Sequence, residues 1–269
     1  MTWWQSILLG LIQGLTEFLP VSSSGHLAIG RELLGVEGTS DLMFEVVVHV
    51  ATVLATIVVF RKQIWALLKG FFSFRKCDEM DYVLKILLAT VPIFIVGMFF
   101  KDQVEALFSS LYVVGGALLV TAVLLYFSDT VSNSSYSKAN AHRNGLSYLQ
   151  VLAIGLAQAV AVIPGLSRSG TTISAGLLVG GRRDVVAQFS FLMVIIPVLG
   201  EAFLSVAGGE LAQCRIDLLP LLLGFITAFI SGLLACKAMI ALVKKAKLKW
   251  FALYCLIVGA AVLIFKSLM

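Results

Sequence analysis

An all-α polytopic membrane protein built as an inverted-topology repeat is the fold class predicted for this chain of 269 residues, on three observations. It is 59% hydrophobic and 13% charged, where a soluble domain carries about 25% charged residues. Its apolar residues run on without the alternation of a membrane β-strand, which excludes a barrel. Polar and small residues also recur at a nearly constant separation. Gln13 and Gln158, Ser22 and Ser167, Ser24 and Ser169, Gly25 and Gly170, and Phe44 and Phe189 are each 145 apart; Pro20 and Pro164, like Gly115 and Gly259, are 144 apart.

The elements follow in order. Residues 3–18 form an apolar helix that stops at Pro20, and a Ser/Gly turn leads to a short apolar stretch, 27–34. Spans are expected near 44–60, 85–100 and 111–127. Residues 148–163 then repeat the opening helix and stop at Pro164, with a short stretch at 171–180 and spans near 189–207, 218–236 and 250–266. Some are shorter than the ~20 residues a crossing needs, and flanking residues extend them. Proline and glycine break the two opening helices, and the freed backbone groups need protein or water partners, so each is expected to be a re-entrant pair. The domains are 1–127 (a re-entrant pair and three spans), a polar linker 128–147, and 148–269. Three spans is an odd number, so the second repeat enters the membrane inverted, with the broken helices meeting near the midplane.

Charge orients this layout. With the N-terminus outside, the inner loops 61–84, 128–147, 181–188 and 237–249 hold fourteen of the 20 Lys and Arg residues. The outer segments hold four: Arg31, Lys101, Arg215 and Lys266. This is a strong positive-inside bias. The net charge of +5 belongs to basic loops at a membrane surface rather than to nucleic-acid binding, with the lysines of 244–249 as headgroup anchors. No basic residue precedes Arg31, unlike a signal peptide. The four cysteines (Cys77, Cys214, Cys236, Cys255) have no metal-ligand spacing.

Ionisable groups at membrane depth mark functional sites. Gln13 and Glu17 share one helix face and point toward the break. Beyond it, Ser22, Ser23, Ser24 and Gly25 can present backbone N–H groups as an anion nest. His26 follows, with a side chain suited to acid/base work near neutrality. In the second run Arg168 can fork onto a phosphate or carboxylate, or simply pair with Glu17 to join the repeats. Ser167, Ser169, Thr171 and Thr172 offer hydroxyls at a helix N-terminus, and Gly165 and Gly170 permit tight turns. Entering from opposite sides, both loops can enclose one anion. Glu45 and His49, four apart on one span, could support the site or merely pack; Gln158 and Glu201 are similar, and His142 belongs to the linker.

The two runs, Gln13…Glu17…Pro20-Val-Ser-Ser-Ser-Gly-His26 and Pro164-Gly-Leu-Ser167-Arg168-Ser169-Gly-Thr171-Thr172, resemble the signatures of the bacterial undecaprenyl-diphosphatase family of the bacitracin-resistance type. The resemblance covers the whole chain. It implies hydrolysis of undecaprenyl diphosphate to undecaprenyl phosphate and phosphate, recycling of the carrier for cell-wall synthesis, and bacitracin resistance. It implies a divalent cation, Mg²⁺ or Ca²⁺, and a site open to the extracytoplasmic face of the bacterial plasma membrane. Many members have Glu where this chain has Gln13, which shifts metal binding and proton handling onto Glu17. On this reading Glu17, Ser23, His26 and Arg168 are catalytic, with Ser23 the preferred nucleophile and water or His26 the alternatives. Gln13, Ser22, Ser24, Gly25, Ser167, Ser169, Gly170, Thr171 and Thr172 bind substrate. Expected partners are a polyprenyl diphosphate lipid and the bilayer, with a homodimer as one assembly open to it and no nucleic acid.

Two other readings compete. The lipid phosphate phosphatase superfamily shares Ser-Gly-His and Ser-Arg motifs, but it places a histidine six residues after the arginine, where this chain has Ser174. A lipid or anion transporter or flippase would use the same inverted repeat without nucleophile or metal.

Overall fold

In the computed structural model, residues 1–36, 41–73, 75, 77–108, 110–132, 145–208, 216–243 and 247–268 are described. Among them every regular element is an α-helix. These are α1 (Trp3–Phe18), α2 (Ser23–Leu34), α3 (Asp41–Val59), α4 (Arg61–Phe72), α5 (Asp78–Phe99), α6 (Lys101–Leu107) and α7 (Leu111–Ser132), followed by α8 (Tyr148–Val160), α9 (Arg168–Leu178), α10 (Arg183–Met193), α11 (Ile195–Ala207), α12 (Leu218–Val243) and α13 (Lys249–Leu268). Five segments are long and apolar enough to cross a membrane: 78–99, 111–131, 183–207, 218–242 and 249–268. The pair α3–α4, bent by 81°, makes a sixth if it counts as one span. Large apolar side chains such as Phe94, Met98, Val123, Leu234, Ile257 and Phe265 are exposed. Apolar surface outside and polar side chains inside are what a lipid solvent selects.

Three boundaries differ from those expected. Residues 61–72, assigned to an inner loop, form α4 instead, turned sharply away from α3 at Phe60. Its lysines and arginine dilute the apolar signal, and none of its residues is buried. Basic residues on a helix with exposed Trp65 and Phe72 suit a helix lying along a membrane surface. The segment 181–188 is likewise mostly helix, because α10 starts at Arg183. The span that follows breaks at Val194, where Pro197 removes a backbone donor and crowds the carbonyl of Met193. Finally, α7 continues to Ser132. Most of the linker, with His142, lies outside the described residues, as do Cys214, Arg215, Lys244 and Lys245. Cys77, Cys236 and Cys255 are free thiols, the last two buried.

The packing repeats across the chain. Helix α1 lies on α12, and α8 lies on α5; α7 packs on both α13 and α9, and α2 on α7. Adding 145 to the residue numbers of α1 and α2 gives the starts of α8 and α9, and the same shift makes α5 and α7 overlap α12 and α13 from five and seven residues after their starts, so the pair α1–α12 has α8–α5 as its counterpart. The α1–α12 contact is close because it is built from small residues. A Cβ on Gly14 would lie 2.0 Å from the Ser231 hydroxyl oxygen and 2.5 Å from the Ala228 carbonyl oxygen. Gly10 meets Thr227 and the Gly224 carbonyl in the same way. Glycines four apart let two helix backbones touch without an apolar driving force.

Gly14→Ile is therefore expected to force α1 off α12 and to cost about 3 kcal/mol or more, as severe overpacking does. A fall of several degrees in the midpoint of thermal unfolding in detergent checks it.

Candidate functional site

Each half places its polar run at a helix break. Leu19 is extended, as a residue before proline must be, and α1 ends there. Ser22 then caps α2, accepting a hydrogen bond from the Gly25 N–H at 3.2 Å. Its φ of 71° makes it the one non-glycine residue with positive φ among those described. Such backbone is costly and persists where its surroundings hold it. In the second half Ser167 caps α9, accepting from the Gly170 N–H at 3.0 Å. The capping serine of each turn also lies 3.4 Å from the hydroxyl two residues on, Ser24 or Ser169. Both turns are thus serine caps that aim a helix N-terminus, and its partial positive charge, at the interior.

The turns bond to each other. The Ser169 hydroxyl donates to the Leu19 carbonyl at 3.1 Å, and the Gly165 N–H donates to the Ser24 hydroxyl at 3.5 Å. Gly25 allows the approach, since a Cβ there would lie 3.1 Å from Gly165 Cα. Gly165 itself has φ of 89° and its position faces the Val114 carbonyl oxygen, 2.4 Å from any Cβ placed there. The Ser167 N–H donates to Thr121 on α7 at 3.1 Å. Both loops meet, as the sequence predicted.

Glu17 is the centre of the first half. Its Oε2 accepts hydrogen bonds from the Ser23 hydroxyl at 2.6 Å and from Gln13 Nε2 at 2.8 Å. Of the three serines, Ser23 is therefore the one whose proton already points at a carboxylate. Arg168 joins Glu17, Ser169 and Thr172 in lining one cavity, completed by residues of α3 and α10. Its Nε is buried without a hydrogen-bond partner, and it forms no ion pair with Glu17 among the described contacts. A guanidinium whose Nε is left unpartnered beside a cavity suits an anion, and its charge also acts on Glu17 without a close ion pair. Ser22, Ser167, Gly25 and Gly170 shape the turns rather than line the cavity. The Thr171 hydroxyl is buried and unpartnered outside that lining.

His26, in the first turn of α2, bonds away from Glu17. Its Nδ1 is 2.7 Å from the Ser22 carbonyl and its Nε2 is 2.7 Å from the Tyr254 hydroxyl, with the two rings stacked. A carbonyl only accepts, so Nδ1 carries the proton and Nε2 accepts from Tyr254. The histidine beside Glu17 is instead His49, whose Nε2 is 3.6 Å from Glu17 Oε2. Sequence reading left His49 as a minor candidate and passed over Thr52 and Thr56, which also line the cavity. The spacing Glu45, His49, Thr52, Thr56 puts one polar stripe down an otherwise apolar span, and that was the available signal. Glu45 itself is drawn to Arg31 on α2 at 2.6 Å. Glu201 is exposed and lies away from this group, and Gln158 is buried with neither side-chain polar atom partnered.

The donor set suits a hard cation. Among the described residues no three His, Cys, Asp or Glu side chains gather to cage a metal. The Glu17 carboxylate and the buried, unpartnered Gln13 Oε1 are oxygen donors that leave positions for substrate oxygens, as magnesium and calcium sites that bind phosphates do.

A multi-pass membrane protein whose two broken helices converge on a carboxylate, a serine and an arginine has a polar site set among apolar helices. The chain belongs to the family described as bacitracin resistance protein BacA, whose model matches residues 6–261. It is 53% identical to a protein of Bacteroides fragilis named undecaprenyl-diphosphatase, over the whole of both chains. It is 46% identical to a protein of that name from Christiangramia forsetii, covering 97% of each chain. With one from Methanobrevibacter smithii it shares 38%, over 96% of this chain and 95% of the other.

Gly165→Ala is expected to destabilise the protein by about 2–3 kcal/mol or more, combining strained backbone with a clash against Val114. Thermal unfolding of the purified variant checks it, and phosphatase activity should fall with it because the turn carries Arg168.

Proposed function

We infer that the chain is an integral membrane phosphatase that hydrolyses undecaprenyl diphosphate to undecaprenyl phosphate and phosphate, recycling the carrier for cell-wall synthesis and conferring bacitracin resistance. The single observation that carries the chemistry is the Ser23–Glu17 hydrogen bond, with Glu17 also lining a cavity that holds Arg168. A hydroxyl bonded to a carboxylate is a nucleophile with its base in place.

In this mechanism the diphosphate enters between the two turns and its polyprenyl tail stays between helices in the bilayer. Arg168 binds oxygens of the terminal phosphoryl group, helped by the N-termini of α2 and α9. Glu17 takes the Ser23 proton as Oγ attacks the terminal phosphorus, and undecaprenyl phosphate leaves. Glu17 gives that proton to the leaving undecaprenyl phosphate; water then attacks the phosphoserine and loses a proton to Glu17, the Oγ–P bond breaks, and Glu17 returns the proton to Oγ as phosphate departs. Arg168 stabilises the charge spread over the equatorial oxygens in both steps. A Mg²⁺ or Ca²⁺ ion, held by Glu17 and the Gln13 carbonyl, would supply further neutralisation of phosphoryl charge. His26 braces the strained turn through the Ser22 carbonyl and enters proton transfer only when Tyr254 releases its Nε2.

The same reading divides the chain into repeats 1–127 and 148–269 joined by 128–147. The exchange of packing partners between halves supports it, and an odd number of crossings before α8 inverts the second repeat. In this reading the site faces the extracytoplasmic side of the bacterial plasma membrane, with which the positive-inside orientation of the chain agrees. A homodimer in the bilayer remains part of this reading.

Phosphate release from a polyprenyl diphosphate by purified protein tests the function. Arg168→Ala should lower kcat/KM by about 10²-fold or more, the usual loss for one preorganised charge donor. Ser23→Ala should remove turnover in the same assay and block the trapping of a phosphorylated protein. Retention of activity by Ser23→Ala would assign the attack to water.

A further inference from the structure

We propose that His49 is a ligand of the divalent cation at this site, sharing it with Glu17, so that the cation is held by one imidazole and one carboxylate drawn from two helices. The proposal rests on the phosphatase reading only for the presence of a cation; the ligand assignment comes from geometry.

His49 sits in the middle of α3, on the polar stripe it shares with Glu45, Thr52 and Thr56. Its Nδ1 lies 2.8 Å from the Glu45 carbonyl. That carbonyl can only accept, so Nδ1 carries a proton, and Nε2 is the ring nitrogen left to serve as a ligand. Metal-binding histidines are held in this way, with the far nitrogen donating to a carbonyl or carboxylate that fixes tautomer and ring orientation. The Glu45 side chain is itself clamped by Arg31 of α2 at 2.6 Å. The free Nε2 then faces the Glu17 carboxylate at 3.6 Å.

A neutral imidazole in this place would need a cation between its Nε2 and the carboxylate, and the spacing of the two atoms bears on that. A shared proton would draw nitrogen and oxygen to about 2.7–2.9 Å. Two donors about 2.1 Å from one metal ion, at angles between octahedral and tetrahedral, stand about 3.0–3.5 Å apart. The observed separation is nearer the second arrangement. The third observation is Gln13, fully buried with its Oε1 unpartnered and its Nε2 bonded to the same Glu17. It offers an oxygen to the same cation. Substrate oxygens and water would complete the shell, since no third His, Cys, Asp or Glu joins the group among the described residues.

The chemical consequence is selectivity. An all-oxygen site suits Mg²⁺ and Ca²⁺; an imidazole raises the affinity for first-row divalent ions relative to them. The site should therefore take Mn²⁺ in preference to Ca²⁺, and lose that preference when His49 is replaced.

The experiment is pulsed electron paramagnetic resonance of Mn²⁺ bound to the full-length purified protein in detergent, without substrate, on wild type and His49→Gln. The wild-type echo should show modulation from one directly bound ¹⁴N. In His49→Gln that modulation should vanish, with Mn²⁺ affinity lowered about tenfold and Ca²⁺ affinity changed much less. The wild-type spectrum decides by itself should the variant fail to fold. Mn²⁺ bound without ¹⁴N modulation, modulation that survives in His49→Gln, or no Mn²⁺ binding at all would each overturn the proposal. Phosphate release is measured on the same wild-type sample, so a failure of the phosphatase reading shows separately from a failure of the ligand assignment.

Discussion

Two helices that stop inside an apolar layer leave backbone N–H and C=O groups with no water to meet them, and the rest of this structure is arranged around meeting that need. Each break is covered first by its own serine, Ser22 or Ser167, which caps the following helix. What remains is covered by the other break: Ser169 reaches the Leu19 carbonyl, and Ser24 accepts from Gly165. An unpaired backbone group in hydrocarbon costs several kcal/mol, so neither turn is stable at that depth without its counterpart. The requirement that joins the halves also creates the site. It sets two helix N-termini beside one cavity and brings Arg168 of one half to Glu17 of the other.

The groups that the protein leaves unsatisfied follow the same logic. Most polar side chains inside the bundle are spent on structure. Lys85 binds Asp81, which also accepts from Tyr148 and so ties α5 to α8; Arg183 pairs with Asp129 to tie α10 to α7. Against that background Arg168 Nε and Gln13 Oε1, buried and unpartnered around Glu17, stand out. Buried polar groups without partners are uncommon and call for a ligand, water or ion. The Ser190 hydroxyl in the same cavity is a third unpartnered group, so donors and an acceptor are both present, which fits a ligand pair of phosphate and cation better than either alone.

Much of this was legible in the sequence because the informative residues break local rules. Proline, glycine and serine between apolar runs announce the two turns, and the separation of 145 announces the repeat. Glu17, Ser23 and Arg168 were identifiable since a charge or a serine cluster at membrane depth has few structural uses. The misplacements come from information that sequence spacing does not hold. His26 was assigned to the site because it ends the motif, yet its direction is set by the positive φ of Ser22 and by Tyr254, distant in the chain. His49 was undervalued because its partner, Glu17, lies on another helix. Helix α4 was hidden because its lysines look like a loop when the membrane surface that they face is not in view.

The central claim is that both halves grip one phosphoryl group, Glu17 and Ser23 from one side and Arg168 from the other. It is tested most directly by a double-mutant cycle on binding of a methylene-bridged, non-hydrolysable polyprenyl diphosphate analogue, using Glu17→Gln, Arg168→Ala and the double variant. Residues acting on one ligand group couple, whereas distant, independent ones add to within about 0.3–0.5 kcal/mol. The account predicts a coupling of about 1 kcal/mol or more between the two sites. Additive losses would contradict it and would place Glu17 and Arg168 on separate parts of the lipid.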